Sequence, residues 1–88
     1  MNTVSIFEPA REIPVAGHFD VIVAGGGFAG ISAALSARRA GAERVLLIER
    51  EFTLGGLATL GLVTIYLPLC DGTGRQVSVG IAVELLKL

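Results

Sequence analysis

This chain is poor in the residues that staple or metallate small proteins. Cys70 is the only cysteine and His18 the only histidine among 88 residues. One cysteine excludes an internal disulfide, and a lone histidine and cysteine provide no cluster of metal ligands. Charge is sparse as well, at 17% of residues, and neither sign dominates: seven basic against eight acidic side chains give a net charge of −1. That balance excludes the basic footprint of a nucleic-acid binder and a polybasic membrane patch. The opening residues, M-N-T-V-S-I-F-E-P-A-R-E, have no basic region followed by an apolar one. A secretory signal is therefore not expected, and the cytoplasm is the default location.

Apolar residues are plentiful, at 52% of the chain. A domain of this size buries only about 60–65% of the surface its unfolded form exposes. Such an excess is expected to pack against something else: the C-terminal part of the same protein or an oligomer partner. Val79 to Leu88 reads as an apolar helix with no Gly or Pro stop signal. The chain is thus expected to be the N-terminal piece of a larger protein. Phe52 to Cys70 carries no charge over nineteen residues, close to the roughly 20 apolar residues of a membrane-spanning helix. Gly55-Gly56, Gly61, three threonines and Pro68 interrupt it. Backbone buried near a ligand and the domain core explains this run better, and no membrane span is expected.

Residues 1–18 read as a lead-in arm. Pro9 and Pro14 rule out a continuous helix there, and Ile13 to Val15 suits a short edge strand. Asp20 to Ala24 is a candidate strand whose consecutive β-branched residues suit burial on both faces, as in a parallel sheet. Gly27 to Ala40 follows as a helix, with Arg38 and Arg39 in its last turn and Gly41 at the expected left-handed cap. Val45 to Glu49 is a second strand. The order strand, helix, strand is one βαβ unit. A loop over Arg50 to Gly56 comes next. Leu57 to Leu69 is ambiguous between strand and irregular chain, Asp71 to Gly74 is a turn by composition, and Ser78 to Leu88 predicts a further helix. The fold class is α/β: a partial Rossmann-like βαβ domain with a further C-terminal helix. Residues 19–88 form that incomplete domain.

The chemistry lies in Val21 to Gly30, V-I-V-A-G-G-G-F-A-G. In Gly25-x-Gly27-x-x-Gly30 the first glycine allows a tight turn off the strand. The second lets backbone approach a pyrophosphate, and the third lets helix and sheet pack closely. The helix N-terminus then presents free N–H groups and the positive end of its dipole to phosphate. Gly25, Gly26, Gly27, Phe28, Ala29 and Gly30 are therefore candidate cofactor-binding residues. Glu49 ends the second strand, where a carboxylate can accept hydrogen bonds from a ribose diol and repel a 2′-phosphate. Its neighbour Arg50 joins the candidate set. A tight βα turn that binds nothing would explain one or two glycines but not the placement of Glu49. Gly55-Gly56, in the loop leaving the same sheet edge, would again let backbone approach a ligand.

Asp20 to Ala34 (D-V-I-V-A-G-G-G-F-A-G-I-S-A-A), Leu47 to Arg50 (L-I-E-R) and Gly55 to Gly61 (G-G-L-A-T-L-G) together resemble the N-terminus of FAD-dependent oxidoreductases with the glutathione-reductase-type FAD-binding fold. Glu12 to Gly17 and Asp71 to Ser78 resemble one bacterial subgroup of that class. The resemblance implies FAD as cofactor, with Gly25, Gly27 and Gly30 along the pyrophosphate and Glu49 on the adenosine ribose. It places Gly55 and Gly56 near the ribityl–pyrophosphate side and Thr59 toward the flavin. Phe28 stands where proline is more usual, and Val79 where the subgroup suggests glycine.

The remaining polar residues read more plainly. Cys70 is expected to be packed and not reactive, and His18 to be solvated or capping. Arg75 and Gln76 belong to a surface turn, Tyr66 to core or interface, and Glu84 and Lys87 to a solvated helix side. No catalytic acid or base can be named. Three functional readings follow. One is the FAD-binding segment of an oxidoreductase acting on a small molecule. The second is the nucleotide-binding segment of an NAD-dependent dehydrogenase, against which Gly55-Gly56 argues. The third is a truncated product without activity.

Overall fold

Val21, Ile22 and Val23 are β-branched in succession, which favours an extended chain over a helix. In the computed structural model, which describes residues 2–65 and 69–88, they begin strand β1 (Val21–Ala24). It pairs in parallel with β2 (Val45–Ile48), in the register Val21 to Val45, Ile22 to Leu46, Val23 to Leu47 and Ala24 to Ile48. Asp20 sets that register from one end. Its carboxylate accepts the backbone N–H groups of Glu43 and Arg44 at 3.0 and 2.9 Å, and its own amide donates to the Arg44 carbonyl. The Arg44 guanidinium lies 5.1 Å from the Phe19 ring centroid, adding a cation–π contact to the same corner.

The crossover between the strands is helix α1 (Phe28–Arg39), rich in alanine with only Ile31 β-branched. It ends in a Schellman motif: Gly41 takes φ +112°, its amide bonds the Arg38 carbonyl, and the Ala42 amide reaches back to Ala37. Arg38 donates in turn to the Ala42 carbonyl at 3.0 Å. The sheet's α1 side carries Val21, Val23, Val45 and Leu47, all half-buried. Ile22 and Ile48 are about half exposed, so only one sheet face is covered here, not both.

Beyond β2 the chain turns through a short 3-10 helix (Gly56–Ala58) and folds back on itself by a Val63 to Leu57 backbone bond. Leu57 to Ile65 is thus irregular and not a strand. Tyr66, expected in core or interface, lies outside the described residues. Asp71 to Gly74 is the turn its composition indicates, closed by an antiparallel bridge between Cys70 and Gln76. The last helix, α2 (Ile81–Leu86), starts three residues later than expected. Gly80, at φ +81° and ψ −137°, takes a conformation outside the helical region and delays the first turn. Ile13 to Val15 forms no strand: residues 2–19 have no regular structure, and no described backbone offers them a ladder.

Two strands and one helix cannot enclose a core. Among the described residues only Gly26 and Gly55 are fully buried, and no large apolar side chain is. The radius of gyration is 18.8 Å, against about 12 Å for a compact domain of this length. No helix among the described residues is long and apolar enough to cross a membrane.

Candidate dinucleotide site

The βα turn is built around the Gly26 peptide. Glu49, half-buried at the end of β2, accepts the Gly26 amide through Oε1 at 3.0 Å. On its other side the Gly26 carbonyl accepts the Gly55 amide at 2.9 Å. The Leu54 side chain packs over the Gly26 Cα so closely that a Cβ there would stand 2.6 Å from Leu54 Cδ2. Gly25 is held from the strand side, donating to the Ile48 carbonyl at 2.7 Å. Gly56 faces Gly27 closely: a Cβ on Gly56 would be 3.1 Å from Gly27 Cα, a tight contact. The two glycine stretches, separated by α1 and β2 in sequence, therefore form one surface.

Each glycine of the first stretch has a distinct environment. A Cβ on Gly30 would collide with the Gly25 carbonyl oxygen, so Gly30 is what lets α1 begin directly on the turn. A Cβ on Gly27 would meet no atom within 4 Å, so the space in front of α1 is open. Helix α1 has no side-chain cap and no acidic residue in its first turn. The positive end of its dipole thus points toward that space, with no acidic residue of its own first turn there.

Glu49 is held ionised. Backbone donation from Glu51, then from Gly26, keeps its carboxyl below the ordinary carboxylate range, with the Arg50 amide and charge adding to this. Oε2 takes the Glu51 amide at 3.1 Å. Each oxygen makes one such bond, and a carboxylate has about four acceptor directions in all. Capacity for two further donors, such as a ribose diol, remains.

A sequence profile described as FAD dependent oxidoreductase matches residues 20–88. The chain belongs to this family. FAD is its cofactor, and the residues present fit the group: open space before Gly27, a helix N-terminus with no side-chain cap, and a charged acceptor at Glu49. Among curated proteins, the mitochondrial 5-taurinomethyluridine-tRNA synthase subunit MTO1 of Mus musculus is 47% identical over 45 residues, which is 51% of this chain and 7% of that protein. Its counterparts in Macaca fascicularis and Pongo abelii are each 51% identical over 41 residues, 47% of this chain and 6% of theirs. The chain spans less than a tenth of these relatives' length. No solved structure matches it.

Within this FAD dependent oxidoreductase segment, the candidates fall into two groups. Gly25, Gly26, Gly27, Phe28, Ala29, Gly30, Glu49, Gly55 and Gly56 come together at the C-terminal end of the sheet. Arg50 turns to the exterior, where its side chain is 91% exposed and its Nε pairs with Glu51 at 3.3 Å. Thr59 turns into its own loop, its hydroxyl donating to the Leu54 carbonyl at 2.6 Å.

Cys70 differs from expectation: it is exposed, not packed. Glu84 lies on a solvated helix side, as expected, and there makes a two-pronged ion pair with Arg39 across 45 residues, both contacts at 2.9 Å. That pairing holds the Glu84 carboxyl below its ordinary range and raises the Arg39 guanidinium. Asp71 accepts the Thr73 hydroxyl and amide, which depress its carboxyl and tie the turn together. Leu54 has no distinguishing sequence signal among so many apolar neighbours. Among the described residues no group of three or more histidine, cysteine or acidic side chains is arranged to hold a metal.

Proposed function

We propose that this chain supplies the ADP-side wall of the FAD site in a flavin-dependent oxidoreductase. In this reading, Gly25 to Gly30 and the α1 N-terminus hold the pyrophosphate. Glu49 accepts the adenosine ribose hydroxyls, and Gly55-Gly56 lines the neighbouring stretch of the cofactor. The observation that carries it is the Gly26 peptide, bonded by Glu49 on one side and Gly55 on the other, beside open space in front of α1. The bound flavin would supply hydride chemistry, and the protein would bind and orient it. Residues 19–88 make up the first part of the binding domain, and the groups acting on substrate come from elsewhere in the protein. The relatives' tRNA substrate is not carried over, because the likeness covers only 6–7% of their length.

The test is a visible absorption spectrum of the purified full-length protein, followed by calorimetric titration of the stripped protein with FAD and NAD side by side. Bound flavin, or tight uptake of FAD over NAD, is the expected result. A colourless protein that takes up no FAD overturns the proposal, and tight NAD binding in its place moves the function to a nicotinamide dehydrogenase.

A further inference from the structure

The loop bearing Gly55-Gly56 is closed from within. Thr59 Oγ1 donates its single proton to the Leu54 carbonyl at 2.6 Å, spanning the two glycines. Its backbone amide bonds the Gly56 carbonyl at 3.2 Å. The same side chain covers Gly55: a Cβ there would stand 2.6 Å from Thr59 Cγ2 and 2.8 Å from Oγ1. Gly55, held at φ +107°, presents its amide to Gly26. A hydroxyl has one proton to give, so Thr59 cannot donate to a ligand while it closes this loop.

We propose that Thr59 is a positioning residue for the cofactor, acting through Gly55 and Gly26 and not by contact with the flavin. Its hydroxyl sets the curvature of the 54–59 loop. That curvature aims the Gly55 amide at Gly26 and brings Gly56 against Gly27. The inference rests on the FAD-site reading above. It adds the group that holds the second glycine stretch on the first.

The experiment compares Thr59→Val, which keeps the shape and loses the hydroxyl, with Thr59→Ser, which keeps the hydroxyl, in the full-length protein. Two quantities are read: the FAD dissociation constant of the stripped protein, and the amide hydrogen exchange of the 54–59 segment without FAD. Loss of one hydrogen bond of this kind weakens binding roughly three- to tenfold. Thr59→Val is expected to show that loss together with faster exchange, and Thr59→Ser to stay within about twofold of the parent on both. Unchanged FAD affinity in Thr59→Val overturns the proposal. So does weakened affinity with unchanged exchange, which assigns Thr59 to direct contact with the cofactor. If Thr59→Val does not fold, Thr59→Ser decides: a loss of tenfold or more there overturns the proposal, and retention supports it. A parent protein that binds no FAD defeats the site reading itself, whereas the exchange comparison without FAD still tests the loop.

Discussion

The Gly55 amide donates to the Gly26 carbonyl at 2.9 Å, joining the only two fully buried residues described in this chain. Neither has a side chain, and that is why they can meet. Backbone approaching backbone at this distance, with Leu54 and Thr59 packed around it, leaves no volume for a Cβ. The outcome is a glycine surface before the α1 N-terminus, which is where the proposed pyrophosphate site lies.

Gly55→Ala is expected to disturb this contact most directly. It places a Cβ on a residue at φ +107°, and that Cβ runs into the Thr59 side chain. The left-handed strain alone is worth about 1–2 kcal/mol, and overpacking adds to it. A lower urea midpoint and reduced flavin content should appear together.

Gly27→Ala and Gly30→Ala should separate binding from folding. The Gly27 position opens on empty space with φ −75°, so alanine fits the fold. Its stability cost is expected to stay below about 1 kcal/mol, that of a poorer helix cap. FAD affinity should fall about tenfold or more, because the new methyl occupies the space before the helix. At Gly30 the methyl meets the Gly25 carbonyl, and destabilisation of about 1–3 kcal/mol or more is expected. Denaturation midpoints and FAD titrations on both variants check the contrast.

Glu49→Gln tests the carboxylate. Oε1 and Oε2 each accept a backbone N–H, from Gly26 and Glu51. An amide can satisfy only one of them and turns its NH2 toward the other. FAD binding should weaken about tenfold or more, since hydrogen bonds to charged acceptors are among the stronger ones. The sign of the pH dependence follows from the depressed carboxyl. The group's contribution to stability is complete above its unfolded value and is lost as pH falls through the folded one. Urea midpoints measured from neutral pH down to about pH 3 should fall more steeply in the parent than in Glu49→Gln.

Arg39 and Glu84 should matter little to the cofactor. The pair is exposed, and exposed pairs are weak and screened by salt. A double-mutant cycle of Arg39→Ala with Glu84→Ala is expected to show small coupling that vanishes in high salt, with FAD affinity unchanged.

What could be read in the sequence was local. Val21 to Val23 reads as strand because branched side chains favour extended backbone. Gly27 to Ala40 reads as helix from its alanine and leucine content, with its end marked by Gly41. Gly25, Gly27 and Gly30 signalled a close backbone approach because glycine in that spacing has few other uses. Where local cues failed, the deciding groups were distant. Ile13 to Val15 suited a strand but has no ladder partner.

The sequence by itself therefore determined the βαβ order, the glycine turn and the acidic residue at the end of β2. Backbone preference and helix capping act within a few residues and leave their mark on composition and spacing. Only the tertiary structure decided that Gly55-Gly56 lies on Gly26-Gly27, that Glu49 holds the Gly26 amide, and that Thr59 closes the loop between them. Those outcomes depend on where one proton is donated and whether a methyl-sized volume is free, and both are set by segments brought together in space.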